Sequence, residues 1–317
     1  MPKSSEQEIH KSKIGGQALI EGVMMRGVRK TAMAVRLPDQ TIDVEVWDTR
    51  GLTGVLGILS KIPFVRGIIN MVDSLVTGYQ CLMKSADKAG VDLDEEEPSK
   101  LDRWLEEKFG DNLVKVIGTI GAALGIILAL VLFLFLPAAA VWGLDQLVSL
   151  GGWKGLVEGL IKILILVGYL WLVSRVKDMR WMYGYHGAEH KTIACFEAGQ
   201  ELTVENVRKQ SRFHPRCGTS FLILVILVSI LVSSFLTWNN PLIRAICKLL
   251  LLPVVVGVAY ELIRLAGRYD NLLTKIISWP GTKLQYLTTE EPTDAQIEVA
   301  IAAFQPVVPE NLEEDKW

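Results

Sequence analysis

Cysteine and histidine are scarce in this 317-residue chain, with four of each, and neither sign of charge is in excess. The 33 Lys and Arg against 35 Asp and Glu leave a formal net charge of -2. That balance gives no reason to propose a nucleic acid as partner, since phosphate recognition needs a basic surplus. Cys81, Cys195, Cys217 and Cys247 lie far apart, which excludes the dense framework of a small disulfide scaffold. The first residues are polar and charged, with no apolar core before a small-residue cleavage site, so no cleavable signal peptide is expected. Gly15, Gly16 and Gly22 lack the GxGxxG spacing of a nucleotide-binding turn and read as turn or close-packing positions.

Charge is also missing from two long stretches, and this sets the class. Val116–Leu136 is 21 residues without a charge, and Gly218–Ile243 is another 26. Each exceeds the run of about 18 that reads as a membrane-spanning helix. Two further apolar segments, 156–174 and 243–263, carry charges towards their ends: Glu158 and Lys162 in the first, Lys248, Glu261 and Arg264 in the second. Glu158 and Lys162 are four apart and share a helix face, so they can pair. Charges near helix ends can snorkel to the interface. The expectation is a mainly α membrane protein with four spans, at about 114–136, 156–174, 218–238 and 243–263.

Fifteen basic residues precede the first span, only Lys154 lies between spans one and two, and Trp238–Pro241 has none. Eight lie between spans two and three. The positive-inside rule then puts both termini and the loop 175–217 on the cytoplasmic side of the membrane. The lipid bilayer is one partner of such a chain. Cysteines in the loop stay reduced there and are available to metal.

Outside the spans, residues 1–13 read as a polar tail and 14–50 as a small β-unit. Ile42, Val44 and Val46 alternate with Asp43 and Glu45, the period of a half-buried strand, with a hairpin turn at Pro38-Asp39. Residues 51–113 read as amphipathic helices broken at Pro63, lying at the membrane surface or packed on the bundle, followed by the acidic linker at 94–97 and a short polar helix. The four-span bundle occupies 114–264, and 265–317 is a cytoplasmic C-terminal segment. Its Ile297, Ala300, Ile301 and Phe304 form a helical stripe that needs a partner, and the β-unit is the expected one. Glu21 and Arg26 are either a buried pair or two separate surface charges.

Three of the four histidines fall within 29 residues of the central loop. His186 and His190 are four apart, so on a helix their imidazoles share a face and converge on one ion. His214 and Cys217 make a second pair around Pro215, and joining two short pairs is how small zinc sites are commonly built. His186-x-x-Glu189-His190 also matches the H-x-x-E-H pattern, in which the glutamate acts on water held by the metal. The hydrolytic reading takes zinc or another divalent metal on His186, His190 and a third ligand, His214 ahead of Cys217, Glu197 or Glu201, with an open position for water, Glu189 as base and Arg216 stabilising an anion. Should all four of His186, His190, His214 and Cys217 bind, the tetrahedron is closed and metal only staples the loop. The chain is then an assembly factor for another membrane protein complex. Glu261 and Arg264 leave a transporter as a third class. Cys195 reads as a packed helix cysteine.

Five stretches carry a resemblance. Residues 15–27 (GGQALIEGVMMRG), 185–192 (YHGAEHKT), 202–208 (LTVENVR), 214–221 (HPRCGTSF) and 287–292 (LTTEEP) together resemble the bacterial YqhQ-type membrane proteins. The similarity covers nearly everything after residue 13. It implies a multi-span inner-membrane protein and directs attention to His186, Glu189, His190, His214 and Cys217. That family is described as metal-dependent enzymes on the strength of the same motif, and it supplies no substrate.

Overall fold

Alternation over residues 42–46 produces the strand it predicts, within a sheet larger than one hairpin. The structure, a computed structural model, describes residues 11–49, 51, 53–90, 113–235, 241–269 and 271–315. The expected acidic linker and the helix after it lie outside the described residues, as does most of the polar tail. The described chain is mostly helical, with one four-stranded antiparallel sheet near its start. The strands are β1 (Gly15–Leu19), β2 (Gly22–Arg26), β3 (Lys30–Arg36) and β4 (Ile42–Asp48), paired in sequence order. The helices are α1 (Gly54–Leu59), α2 (Val65–Lys88), α3 (Leu113–Leu130), α4 (Leu136–Leu147), α5 (Lys154–Val173), α6 (Lys177–Glu197), α7 (Val204–Arg208), α8 (Gly218–Ser234), α9 (Pro241–Arg268), α10 (Leu272–Thr288) and α11 (Asp294–Phe304). Two compact units result, one from residues 1–89, 170–224 and 257–317, the other from 90–169 and 225–256.

In the first unit the sheet is covered on both faces. Val23, Met25, Ala32 and Ala34 pack with Tyr185 and Ile193 of α6 and with Ile297 and Phe304 of α11. Leu19, Met24, Met33 and Val35 pack on Cys81 and Leu82 of α2. A strand buried on both faces reads as a continuous apolar run and loses its alternation. That is why 22–26 does not announce itself as a strand. The expected hairpin between β3 and β4 is present, closed by Asp39 accepting from the Thr41 amide at 3.0 Å.

Ile20 and Glu21 form the two-residue turn between β1 and β2, with Glu21 at φ 50°. Trp181 Nε1 (2.6 Å) and Tyr185 OH (2.9 Å) donate to its carboxylate, holding the turn against α6. Glu21 and Arg26 therefore do not pair with each other; Arg26 bridges to Asp73 of α2 at 2.6 Å.

The stripe on α11 docks on the β-unit as expected. A capping box starts this helix: the Thr293 side chain accepts from the Gln296 amide, and Gln296 accepts from the Thr293 amide. Thr293→Ala is expected to cost about 1 kcal/mol by loss of the cap, read as a lower midpoint in chemical denaturation.

The second unit consists of apolar helices. The expected first span does not stop at Leu136: α3 runs through a π-helical turn (Val131–Phe135) into α4. Pro137 has no N–H to give to the preceding turn, and a wider turn absorbs it without ending the helix. The result is an apolar helix from Gly118 to Leu147. Its 30 residues measure about 45 Å, more than the ~30 Å hydrocarbon layer. Gly151–Val173 and Ile246–Arg268 are also long and apolar enough to cross a membrane, while Gly218–Ser234 is shorter. Between 17% and 28% of the residues in those three windows are buried, so most of them are left uncovered by the described residues.

Lys248 departs from expectation. It does not run out towards a helix end but ion-pairs with Glu158 across two helices, and both are buried. Lys162 meets the same carboxylate at 3.2 Å, the expected i,i+4 contact, and donates to Ser229 Oγ at 3.1 Å.

Candidate metal centre

His186, Glu189 and His190 sit on α6, whose Lys177–Glu197 helix places them on one side as their spacing requires. Gly187, beside them, is in close contact with the segment after α10: a Cβ there would lie 2.1 Å from the Glu290 carbonyl. The missing side chain lets α6 and the end of α10 come together. His214 and Cys217 arrive from the loop before α8, anchored by Gln285 of α10. That amide accepts from the His214 N–H at 2.8 Å and donates to the His214 carbonyl at 2.6 Å.

His186, His190 and Cys217 each present one ligand atom, and these atoms lie within 4.8 Å of one another. Donors on one tetrahedral zinc stand about 3.3–3.8 Å apart, given bonds of about 2.0–2.3 Å. The His186 Nε2 to Cys217 Sγ separation is already 3.2 Å. Both imidazoles are oriented from behind. His186 Nδ1 donates to the Thr288 carbonyl at 2.8 Å, and His190 Nδ1 donates to the Arg212 carbonyl at 2.6 Å. Nε2 is therefore the nitrogen each ring turns towards the Cys217 sulfur, and the one it would offer to an ion after losing its proton, the orientation in which metal-binding histidines are usually held.

His214 lies beside this group without joining its three converging donors. Its ring centroid is 5.6 Å from that of His190, and the rings of His186 and His190 are 4.4 Å apart. Arg216 donates to His214 Nε2 at 3.1 Å and ion-pairs with Glu197, whose other oxygen is 3.7 Å from the same nitrogen. Glu197 also accepts from the Ser12 amide at 2.7 Å. Glu201 offers only its carbonyl nearby, 3.6 Å from Cys195 Sγ, and Cys195 is fully buried as a packed cysteine.

Glu189 is buried against β1. Gly16 donates its backbone amide to the carboxylate, and a Cβ on Gly16 would stand 2.9 Å from Glu189 Cγ. Its Oε2 has no hydrogen-bond partner among the described residues, and neither do the buried hydroxyls of Ser220 and Thr288. Buried polar atoms left unsatisfied call for a missing partner.

Burial pushes the Glu189 carboxyl above its ordinary range, against the pull of His190 and His186. Burial also opposes ionisation of Cys217, yet His186 and His190 overcome it and hold the thiol well below its usual value. The Cys217 charge in turn raises His186 to about 9, against desolvation. Desolvation lowers His214 below its ordinary value. Glu197 is held below its ordinary value, where the His214 hydrogen bond and the Arg216 charge outweigh burial. The centre thus combines a thiolate, two oriented imidazoles and a carboxyl able to hold a proton.

Gln285, Thr288, Arg212 and Thr219 were not legible as site residues. Arg212 and Thr288 act through backbone carbonyls, which any residue type supplies, and Gln285 is 71 positions from His214. Thr219 faces Cys217 Sγ at 3.0 Å.

Residues 62–310 match the family described as "Protein of unknown function (DUF1385)". The chain belongs to this family. It is also 34% identical over 295 residues to "Uncharacterized protein YqhQ" of Bacillus subtilis (strain 168), covering 93% of this chain and 92% of that one. No solved structure matches it. The DUF1385 match covers His186, Glu189, His190, His214 and Cys217 but leaves out β1–β4 and α1, and with β1 the Gly16 amide that meets Glu189.

Proposed function

We propose that this DUF1385 protein is a multi-span protein of the bacterial inner membrane with a divalent metal centre, zinc by ligand type, performing hydrolysis at the cytoplasmic face. The observation that carries the reading is the convergence of two imidazole nitrogens and a thiolate sulfur beside a buried carboxyl with an unsatisfied oxygen. His186, His190 and Cys217 would hold the ion, a nitrogen and sulfur set that zinc favours. Bound there, zinc would supply Lewis acidity and lower the pKa of a water molecule. Glu189, whose burial raises its carboxyl above the ordinary range, would be the group able to take up and hold a proton there. The Gly16 amide fixes the carboxylate. His214, Arg216 and Glu197 brace the loop that delivers Cys217.

Membrane insertion is supported by the three long apolar helices and their uncovered surface. Both termini and residues 175–217 lie on one side only if Gly218–Ser234 crosses as a fourth span. At 17 residues it is about 25 Å long, within the range a bilayer accepts. The basic residues of the loop support a cytoplasmic location for that side.

One observation favours a second reading. His190, Glu189, His214 and Cys217 are all at most 9% exposed, as in a centre that only shapes its loop for contact with another membrane protein complex. Glu189→Gln separates the two. It keeps the shape of the site and all three donor atoms, so metal content and folding are expected to match wild type. A phenotype of a strain lacking the gene is expected to persist when this variant is supplied. Full rescue by Glu189→Gln would eliminate the hydrolytic reading and favour the structural one.

A further inference from the structure

Away from the metal centre, the first unit contains a cavity of about 640 Å³ whose charged lining is entirely basic. Lys61 from the turn after α1, Arg66 from α2, and Arg264 and Arg268 from the last turns of α9 face it, with Lys13 and Tyr260 completing the wall. Glu261 does not neutralise it. Both its oxygens are engaged by the Arg66 guanidinium, and Oε1 also accepts from the Phe64 amide at 3.2 Å. One carboxylate is matched by one arginine, and the cations of Lys61, Arg264 and Arg268 remain directed at the same space.

The surroundings of this cavity are apolar and open. None of the residues of α1 is buried, and Val55, Ile58, Ile62 and Phe64 are between 43% and 71% exposed. Ile62 and Phe64 follow Lys61 in the chain, and the Phe64 amide reaches Glu261 near the end of α9, one of the helices able to span a bilayer. Exposed apolar residues beside arginines at a span's end suit the boundary between acyl chains and headgroups. Arginine pairs set four apart, as at 264 and 268, can meet phosphate oxygens through paired N–H donors.

We infer that this cavity binds the phosphate headgroup of an anionic phospholipid, with Lys61, Arg264 and Arg268 as its ligands and the α1 elbow seated among the lipids. The inference rests on the membrane reading above and is independent of the metal. Full-length protein is reconstituted in nanodiscs of phosphatidylcholine containing phosphatidylglycerol, then released and its bound lipids counted by native mass spectrometry. Wild type is expected to retain phosphatidylglycerol in preference to phosphatidylcholine. Lys61→Gln is expected to weaken that preference about fivefold, and the triple Lys61→Gln/Arg264→Gln/Arg268→Gln roughly a hundredfold, at about 1 kcal/mol per basic residue. Arg264→Lys/Arg268→Lys, which keeps the charge, is expected to retain most of it. An equal removal of charge at exposed Lys30, Lys177 and Lys209 is expected to leave it intact. An undiminished preference in both the triple and Lys61→Gln variants would overturn the assignment. So would inorganic phosphate displacing phosphatidylglycerol at equal concentration, which would indicate a site for a soluble anion. A chain that stays monodisperse without detergent or lipid would instead defeat the membrane reading itself.

Discussion

Zinc at about a thousandfold excess over its dissociation constant is expected to stabilise the purified protein by about 4 kcal/mol, and Cys217→Ala to remove nearly all of that increment. The argument follows from the donor set. A ligand that binds only the folded state adds its binding free energy to stability, and the three donors come from parts of the chain brought together only by folding. Cys217 stands 31 positions from His186 and reaches it because Gln285 fixes the backbone at His214. Removing the sulfur leaves two imidazoles on one helix, a pair that an unfolded chain offers almost as well. The measurement is the denaturation midpoint with and without zinc in both proteins. Equal gains in wild type and Cys217→Ala would show that any zinc effect arises elsewhere.

A loss of similar size is expected from Glu158→Leu, at about 3–5 kcal/mol. The Glu158 carboxylate is 1% exposed and lies between the ammonium groups of Lys162 and Lys248, themselves 6% and 8% exposed. The substitution removes the charge that both lysines share while leaving them among apolar helices. A buried ion group broken on one side is costly, whereas replacing the whole group by apolar residues is often nearly neutral. Glu158→Leu/Lys162→Met/Lys248→Met is therefore expected to recover most of the loss. Unfolding in detergent micelles reads both variants. A Glu158→Leu protein within about 1 kcal/mol of wild type would indicate that the group is hydrated in the folded state.

The parts of this molecule legible in the sequence are those set by short-range periodicity. The i,i+4 spacing of His186 and His190, the stripe on α11 and the alternation in β4 each follow from one element's geometry, and each is found. The parts that were not legible depend on distant partners. β1 and β2 sit in a sheet buried on both faces, which erases the alternation that marks a strand. Lys248 looked like a snorkelling end charge because nothing near it in sequence names Glu158, 90 positions earlier. Pro137 looked like a helix end because the π-helical turn that accommodates it leaves no mark on composition. His214 was read as a ligand of the shared ion, but it stands outside the three converging donors, and its hydrogen bond from Arg216 could not be foreseen from residue types alone.

Metal content tests the central claim most directly. Elemental analysis of protein purified with added zinc and then freed of unbound ion is expected to give about one equivalent per chain for wild type. His186→Ala and His190→Ala are each expected to fall below about a tenth of that value. Wild-type protein holding less than about a tenth of an equivalent, or variants holding as much as wild type, would contradict a shared ion on His186, His190 and Cys217.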